Sequence, residues 1–303
     1  MRTSAARLTI VARLILLLAV VVLLLPDSAA RPATFSLTKV ESAKHVDFED
    51  GVVWFLALGS DARPGQAVTD GRADAIQLVG VDLGTGNAVG IGVPRDSWVD
   101  LPEGFDRINA ALPQGGPDLV AAAVADLVGI TPDYVFVSGF DGFRDMVGAI
   151  GGVEVQASRA FADPEFDLTV EKGPNRFDAT EALDYARSRK ELPGSDFERS
   201  ANQQQLMLGI LRELRAHEND EGFMEGGALA ALGGLDTNLP PTELYRLALA
   251  VTQVEPGRVT IRVIGGTPLN VGGAEVIEAD VTQARRLAAD AREDARLQGG
   301  CRD

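Results

Sequence analysis

The stretch Val52-Val53-Trp54-Phe55-Leu56-Ala57-Leu58, followed at once by Gly59-Ser60-Asp61-Ala62-Arg63, decides how this chain folds. A short unbroken apolar run that stops at a polar loop is the pattern of a strand buried on both faces. Residues 75–81 and 88–93 repeat it, and residues 134–137, 153–155 and 259–264 give further strands. Helical patterning falls on residues 117–128, 142–150, 180–186, 196–217 and 242–251. Pro117 suits a first helical turn. In the longest helix Leu206, Ile210, Leu211 and Leu214 share one stripe. Strands alternating with helices imply a layered α/β fold, and open α/β sheets bind ligands at the carboxyl ends of their strands.

Outward from this core the chain divides by composition. Arg2, Arg7 and Arg13 precede an unbroken apolar run over residues 14–25, and Ser28-Ala29-Ala30 resembles a signal-peptidase site. An anchor helix needs ~20 apolar residues. Residues 8–25 approach that only if Arg13 snorkels. Residues 1–30 thus read as a membrane anchor or a cleaved signal segment. Either places the rest of the chain outside the cytoplasm, because the basic residues come first. Residues 31–50 read as a linker, 51–218 as the core of the folded domain and 219–281 as its completion. Residues 282–303 read as a charged tail forming an exposed helix.

Of the 303 residues 46% are hydrophobic, enough for a substantial core, and the net charge of -16 argues against nucleic acid as a partner. Any phosphate must meet a local arginine cluster. Cys301 is the single cysteine, and His45 and His217 are the only histidines. That excludes an intrachain disulfide, a cysteine-held metal and a multi-histidine zinc site, and disfavours a Ser-His-Asp triad.

Four polar constellations stand out. Asp61 and Arg63 follow the first strand of the core, and Arg72-Ala73-Asp74 precedes the second. Two carboxylates on adjoining loop ends suit magnesium, which takes one or two carboxylates plus phosphate oxygens and water. Val93-Pro94-Arg95-Asp96 ends the third strand, where Pro94 stops the ladder, and Arg107-Ile108-Asn109 comes next. Last come Tyr185-Ala186-Arg187-Ser188-Arg189-Lys190 and Asp196-Phe197-Glu198-Arg199, then Gln203-Gln204-Gln205. Residues two apart diverge on a helix but share a face when extended, so Arg187 and Arg189 converge only if the helix ends near Arg187. Asp196, Arg199 and Gln203 share a helical face. Arginines and aspartates without a histidine or cysteine nucleophile suit phosphoryl transfer, which rests on positioning and electrostatics.

These motifs, LGSDAR (58–63), RAD (72–74), VPRD (93–96), RINAA (107–111), FDGFRDMVGAIGGVEV (140–155), EALDYARSRK (181–190) and DFERSANQQQ (196–205), resemble the LytR-CpsA-Psr family over about half of the chain. The resemblance implies an α/β fold with a central mixed sheet between helices on both faces, and an apolar pocket for a polyprenyl chain. It implies a membrane-bound phosphotransferase of the bacterial cell envelope. Such an enzyme moves a glycopolymer from a polyprenyl-pyrophosphate carrier to a cell-wall acceptor, usually peptidoglycan, with Mg2+. On it Asp61 and Asp74 match the metal ligands. Arg63, Arg95, Arg187 and Arg189 match pyrophosphate-binding arginines, and Arg199 and Gln203 match the helix face supporting them. Asp96 joins them as a candidate base, and Arg72, Arg107 and Asn109 as substrate contacts. Two positions depart from the family pattern: Ala75 replaces a hydroxyl residue and Asn202 an arginine. A polyprenyl-pyrophosphate hydrolase and a non-catalytic envelope regulator are the competing readings. A lipid channel is expected beside helices 119–128 and 206–214, opening where Ala121, Ala122 and Ala125 leave space. Residues after Ala216 are assigned no chemistry.

Overall fold

The computed structural model describes residues 33–41, 51–217, 220 and 235–298; the expected anchor or signal segment lies outside them. The central sheet has seven strands: β1 (Phe35–Lys39), β2 (Val52–Ser60), β3 (Ala73–Asp82), β4 (Ala88–Gly92), β5 (Tyr134–Ser138), β6 (Leu235–Thr237) and β7 (Val259–Val263). Their order is β6-β1-β5-β2-β3-β4-β7. The pairs β1–β6, β2–β5 and β4–β7 are parallel and the rest antiparallel, so the sheet is mixed, as expected.

The helices are α1 (Ala111–Val128), α2 (Phe140–Ala149), α3 (Ala179–Arg187), α4 (Asp196–Ala216), α5 (Pro241–Gln253) and α6 (Val281–Ala291). Strand alternation sorts the two sheet faces. In β2 and β3 the pairs Leu56–Leu78 and Leu58–Ile76 fall on one side, Ala57–Gln77 and Gly59–Ala75 on the other. The large residues join the main core with Val120, Val124 and Val128 of α1 and Ala284, Ala288 and Ala291 of α6. Helix α4 covers the other face, against β3, β4 and β7.

Local chemistry sets the helix ends. Helix α1 kinks at Gly115 and Gly116, the latter at φ +68°, and Pro117 begins its regular part. Gly129 closes it at φ +87°. Helix α3 opens on a reciprocal capping box between Asp178 and Glu181.

Two expectations are corrected. The segment read as linker contributes β1, paired between β6 and β5 with Phe35 buried. Its sequence, Phe-Ser-Leu-Thr-Lys, is too short and polar to show the pattern of a central strand. The charged tail is not an exposed helix, because α6 buries an alanine stripe at i, i+4 and i+7 in the main core.

The first half of α4 is buried through polar residues rather than through its leucines. Gln204 Nε2 donates to the carbonyls of Gly90 and Arg262 at 3.3 and 2.8 Å, and Gln77 Nε2 donates to Ser200 Oγ at 3.0 Å. Glycine on β4 permits this approach: a Cβ on Gly92 would sit 2.5 Å from Ser200 Oγ. At Gly209 a Cβ would meet the Glu154 carbonyl and lie 2.6 Å from Val153 Cγ2. Gly209→Val should therefore destabilise the fold by about 1–3 kcal/mol through overpacking. Thermal unfolding should show a Tm lowered by ~2–4 °C per kcal/mol. An unchanged Tm would contradict this packing.

Candidate functional site

The turn at the end of β4 creates the polar half of the site. Ser97 N–H donates to the Pro94 carbonyl at 3.0 Å, and Asn109 N–H to the Arg95 carbonyl at 3.2 Å. This presents Arg95 outward and buries Asp96 behind it. Helix α3 ends at Arg187, Ser188 is extended at φ -53° and ψ 128°, and Arg189 comes after it. Arg187 and Arg189 thus reach one cavity, as the spacing predicts. On α4, Asp196, Arg199 and Gln203 share a buried face.

The cavity measures about 890 Å³ and lies on the sheet face opposite the main core. Its floor includes Ala57 and Gly59 of β2, Ala75 and Gln77 of β3, and Phe136 and Ser138 of β5. Phe140, Phe143, Met146, Leu183, Leu206, Met207 and Ile210 give it apolar walls. Its polar part has the cations Arg95, Arg187, Arg189, Lys190 and Arg199, the acids Asp74, Asp163, Glu165 and Glu275, and Ser195 and Gln203. The expected helix 206–214 does line it. Helix 119–128 does not: Ala121 is packed in the core on the other face, Ala122 is exposed and Ala125 is half-buried. The residues that leave space are the small ones on the strands.

Behind the arginines sits a carboxyl pair. Asp96 and Asp196 are close enough for each to shift the titration of the other. Arg199 Nη2 lies 2.6 Å and Arg189 Nε 3.2 Å from Asp196 Oδ1. Asp96 is 3.4 Å from Arg189, 3.5 Å from Arg107 and 3.8 Å from Arg95. Arg95 Nη1 also reaches Asp74 Oδ1 at 2.6 Å. Burial, then the neighbouring Asp196 carboxylate, push the Asp96 carboxyl up to about 6 against the pull of Arg95 and Arg189. For Asp196 burial acts upward, but Arg199, the neighbouring Asp96 carboxyl, Arg189 and Arg95 hold it below the usual range. Arg187 differs from the others, lying 4.8 Å from the ring centroids of both Phe140 and Phe166. Gln203 Nε2 donates to the Ala186 carbonyl at 3.1 Å, tying α4 to the end of α3.

Not every expected residue joins this cavity. Arg63 and Arg72 are exposed and outside its lining, because the loop between them folds on itself: Asp61 Oδ1 accepts from Arg72 N–H at 2.7 Å and Asp61 N–H donates to the Arg72 carbonyl at 3.0 Å. Arg107 is turned to the Glu275 carbonyl, at 3.1 and 2.8 Å, and to Asp96. Asn109 is buried, with Oδ1 unpartnered. Asp96 touches arginines rather than the cavity. Of the departures from the family pattern, Ala75 lies in the floor and Asn202 faces away, accepting from Tyr185 Oη at 2.9 Å.

Sequence reasoning missed three contributions. Asp196, read from the sequence only as part of a helix face with Arg199, makes the shorter arginine contacts of the carboxyl pair, at 2.6 and 3.2 Å. Glu275 comes from beyond Ala216, the region assigned no chemistry. The wall of phenylalanines draws on dispersed positions that carry no motif. As to a metal, no group of three or more His, Cys, Asp or Glu side chains among the described residues could hold one. Asp74 lines the cavity and Asp61 does not; each keeps one carboxylate oxygen outside the hydrogen bonds above, which suits an ion drawing its other ligands from phosphate and water.

A mixed sheet with helices on both faces, holding a mainly apolar cavity whose polar part carries four arginines, defines an α/β domain suited to an anion with an apolar tail. Residues 27–293 match the model of the LytR_cpsA_psr family, and the chain belongs to that family. It is similar to the probable cell wall biosynthesis protein LcpB of Corynebacterium glutamicum, 33% identical over 174 residues, 53% of this chain and 41% of that protein. It is similar also to the polyisoprenyl-teichoic acid–peptidoglycan teichoic acid transferase TagT of Bacillus subtilis, 33% identical over 198 residues, 61% of each. The matches thus span less than two thirds of either relative. The crystal structure of B. subtilis TagV superposes with a TM-score of 0.67 at 25% identity, covering 82% of this chain and 99% of that one.

The raised Asp96 has a measurable consequence. Below about 6 the carboxyl is neutral and the arginine cluster carries one more net positive charge; above it, the carboxylate offsets an arginine. A charge behind the arginines of a half-buried site is worth about 1 kcal/mol, or ~5-fold in affinity. Affinity for a methylene diphosphonate probe should therefore weaken as pH rises through about 6. Asp96→Asn, which cannot ionise, should remove that component and leave only the titration of the probe itself. Calorimetric titration at several pH values checks it, and identical profiles for variant and wild type would refute the assignment.

Proposed function

We propose that this chain transfers a glycopolymer from a polyprenyl-pyrophosphate carrier to a cell-wall acceptor, peptidoglycan, forming a phosphodiester. One observation carries the reading: the arginine cluster and the apolar cavity share one continuous space. A lipid diphosphate needs both at once. Burial of apolar surface is worth ~25 cal/mol per Å², so the carrier chain supplies binding energy while the guanidinium forks grip its phosphates. The relatedness to TagT supports the same reaction class.

In this reading the acceptor hydroxyl oxygen forms a bond to the phosphorus bearing the polymer. The bridging P–O bond breaks, polyprenyl phosphate departs and the hydroxyl proton is lost. Arg95, Arg189 and Arg199 hold the negative charge that grows on the departing phosphate. Arg187, fixed over Phe140 and Phe166, sits where the cavity passes from polar to apolar. Asp96 and Asp196 act through the arginines that they orient. Asp61 and Asp74 would hold Mg2+, which when bound neutralises charge between the two phosphates. With water in place of the acceptor, the same site hydrolyses the carrier pyrophosphate. The basic and apolar N-terminal segment supports a single membrane anchor with the domain outside the cytoplasm.

Asp61→Ala and Asp74→Ala should each remove magnesium-stimulated turnover while leaving far-UV circular dichroism unchanged. Near wild-type activity at low magnesium would mean that the residue replaced is no ligand. The cavity makes a separate claim. Ala57→Phe fills its floor and should weaken binding of a long-chain polyprenyl diphosphate about tenfold or more through lost apolar contact, while sparing a short-chain analogue. Equal losses for both chain lengths would leave only the phosphate site standing.

A further inference from the structure

A second surface adjoins the arginine cluster and has no part in the chemistry above. The hairpin Trp98–Leu101/Gly104–Arg107 leaves the turn that carries Arg95 and Asp96. Its register pairs Trp98 with Arg107 and Asp100 with Phe105, so these four residues share one face. The rings of Trp98 and Phe105 stack, with centroids 6.3 Å apart and planes 24° from parallel. Phe105 is 62% exposed, the most exposed of the large hydrophobic residues described. The open stacked pair offers a flat apolar face to solvent.

The surrounding charge selects the occupant. The hairpin carries Asp100, Glu103 and Asp106, and its one cation, Arg107, is engaged by Asp96 and the Glu275 carbonyl. Such a rim repels an anionic bilayer and a polyphosphate alike. It fits an uncharged ring with one apolar face and a fringe of hydroxyls, that is, a pyranose. The negative face of an aromatic ring meets polarised C–H groups, and carboxylates accept from hydroxyls. Position supplies the rest. Phe105 stands ~7 Å along the strand from Arg107. Arg107 binds Asp96 at 3.5 Å and the carbonyl of Glu275, a residue of the cavity lining.

We propose that the Trp98–Phe105 face stacks on a pyranose ring of the acceptor glycan strand and delivers its hydroxyl to the arginine-lined cavity. This deepens the transfer reading by naming where the acceptor rests, and it depends on that reading for its role in turnover.

The chain offers its own reporter, since of its two tryptophans Trp54 is buried in the core and Trp98 is half-buried on this face. The full chain in detergent is titrated with an N-acetylglucosamine hexasaccharide. A saturable change in tryptophan emission is expected, kept in Phe105→Tyr, reduced in Asp100→Asn and lost in Phe105→Ala. All three variants should bind the diphosphonate probe as wild type does. In turnover, Phe105→Ala should raise KM for glycan acceptor about tenfold, with kcat and the carrier KM unchanged. Hexasaccharide binding that ignores Phe105 overturns the proposal. So does a Phe105-dependent response to phosphatidylglycerol vesicles with none to the sugar, which would make the hairpin a membrane contact. If Phe105 governs sugar binding but wild type transfers nothing to glycan, the platform stands and the transferase reading falls. If wild type transfers to glycan while Phe105 affects neither acceptor KM nor binding, the platform falls and the transferase reading stands.

Discussion

The polar half of this protein depends on the contact between Asp196, Asp96 and the arginines in front of them. Arg95, Arg107, Arg189 and Arg199 converge on two neighbouring carboxyl groups. Guanidinium groups held so close, with Arg199 only 5% exposed, repel one another and are poorly hydrated. Removing a carboxylate would strand a buried charge, which is far more costly than never having buried the pair. Yet full neutralisation would leave nothing to attract an anion. With Asp74 included, three carboxylates face four guanidiniums, and below about pH 6 the proton that Asp96 takes up widens the surplus. A chain of net charge -16 thereby keeps a small positive region by placing Asp96 and Asp196 behind the arginines and the cavity in front.

The apolar half arises from the alternation of β2 and β3. Leu56, Leu58, Ile76 and Leu78 fill one side so tightly that α1 and α6 can be laid on it. Ala57, Gly59 and Ala75, one position out of step, leave the other side short of volume. Helix α4 cannot collapse into that space, because its first turns are pinned to the sheet through Gln204 and Ser200 where β4 offers glycine. Core and cavity therefore arise from one sequence of alternating large and small residues. The strand reads as uniformly apolar only because alanine and glycine count as apolar.

This explains what the sequence could and could not reveal. The buried strand over 52–58 and the end of a helix at Arg187 are local facts, carried by composition and by the i, i+2 geometry of Arg187 and Arg189. The position of β1 was not legible, since five half-polar residues become a central strand only once β5 and β6 flank them. Helix α6 hid its stripe among charges, because alanine at i, i+4 and i+7 is a weak signal until it meets a core. In α4 the leucine stripe drew attention to the second half, whereas the buried polar run from Asp196 to Gln204 packs by hydrogen bonding, which periodicity does not register. Arg63 and Arg72 were legible as a motif, but the closure of their loop by Asp61 is a matter of backbone geometry.

The hairpin Gly266–Val271/Ala274–Ala279 shows why the cluster cannot be assigned to its motifs alone. Ile277 N–H donates to the Asp96 carbonyl at 2.9 Å, and the Glu275 carbonyl accepts two bonds from Arg107. The turn that aims Arg95 and buries Asp96 is therefore clamped from a segment more than half the chain away. Asp196 meets that turn from α4, and Gln203 ties α4 to the end of α3. Each arginine is thus oriented by a residue from a different part of the chain. Since guanidinium forks bind phosphate well only when their planes are fixed, the affinity of the site is a property of the folded domain, and the hairpin that carries no chemistry of its own is as necessary to it as the arginines.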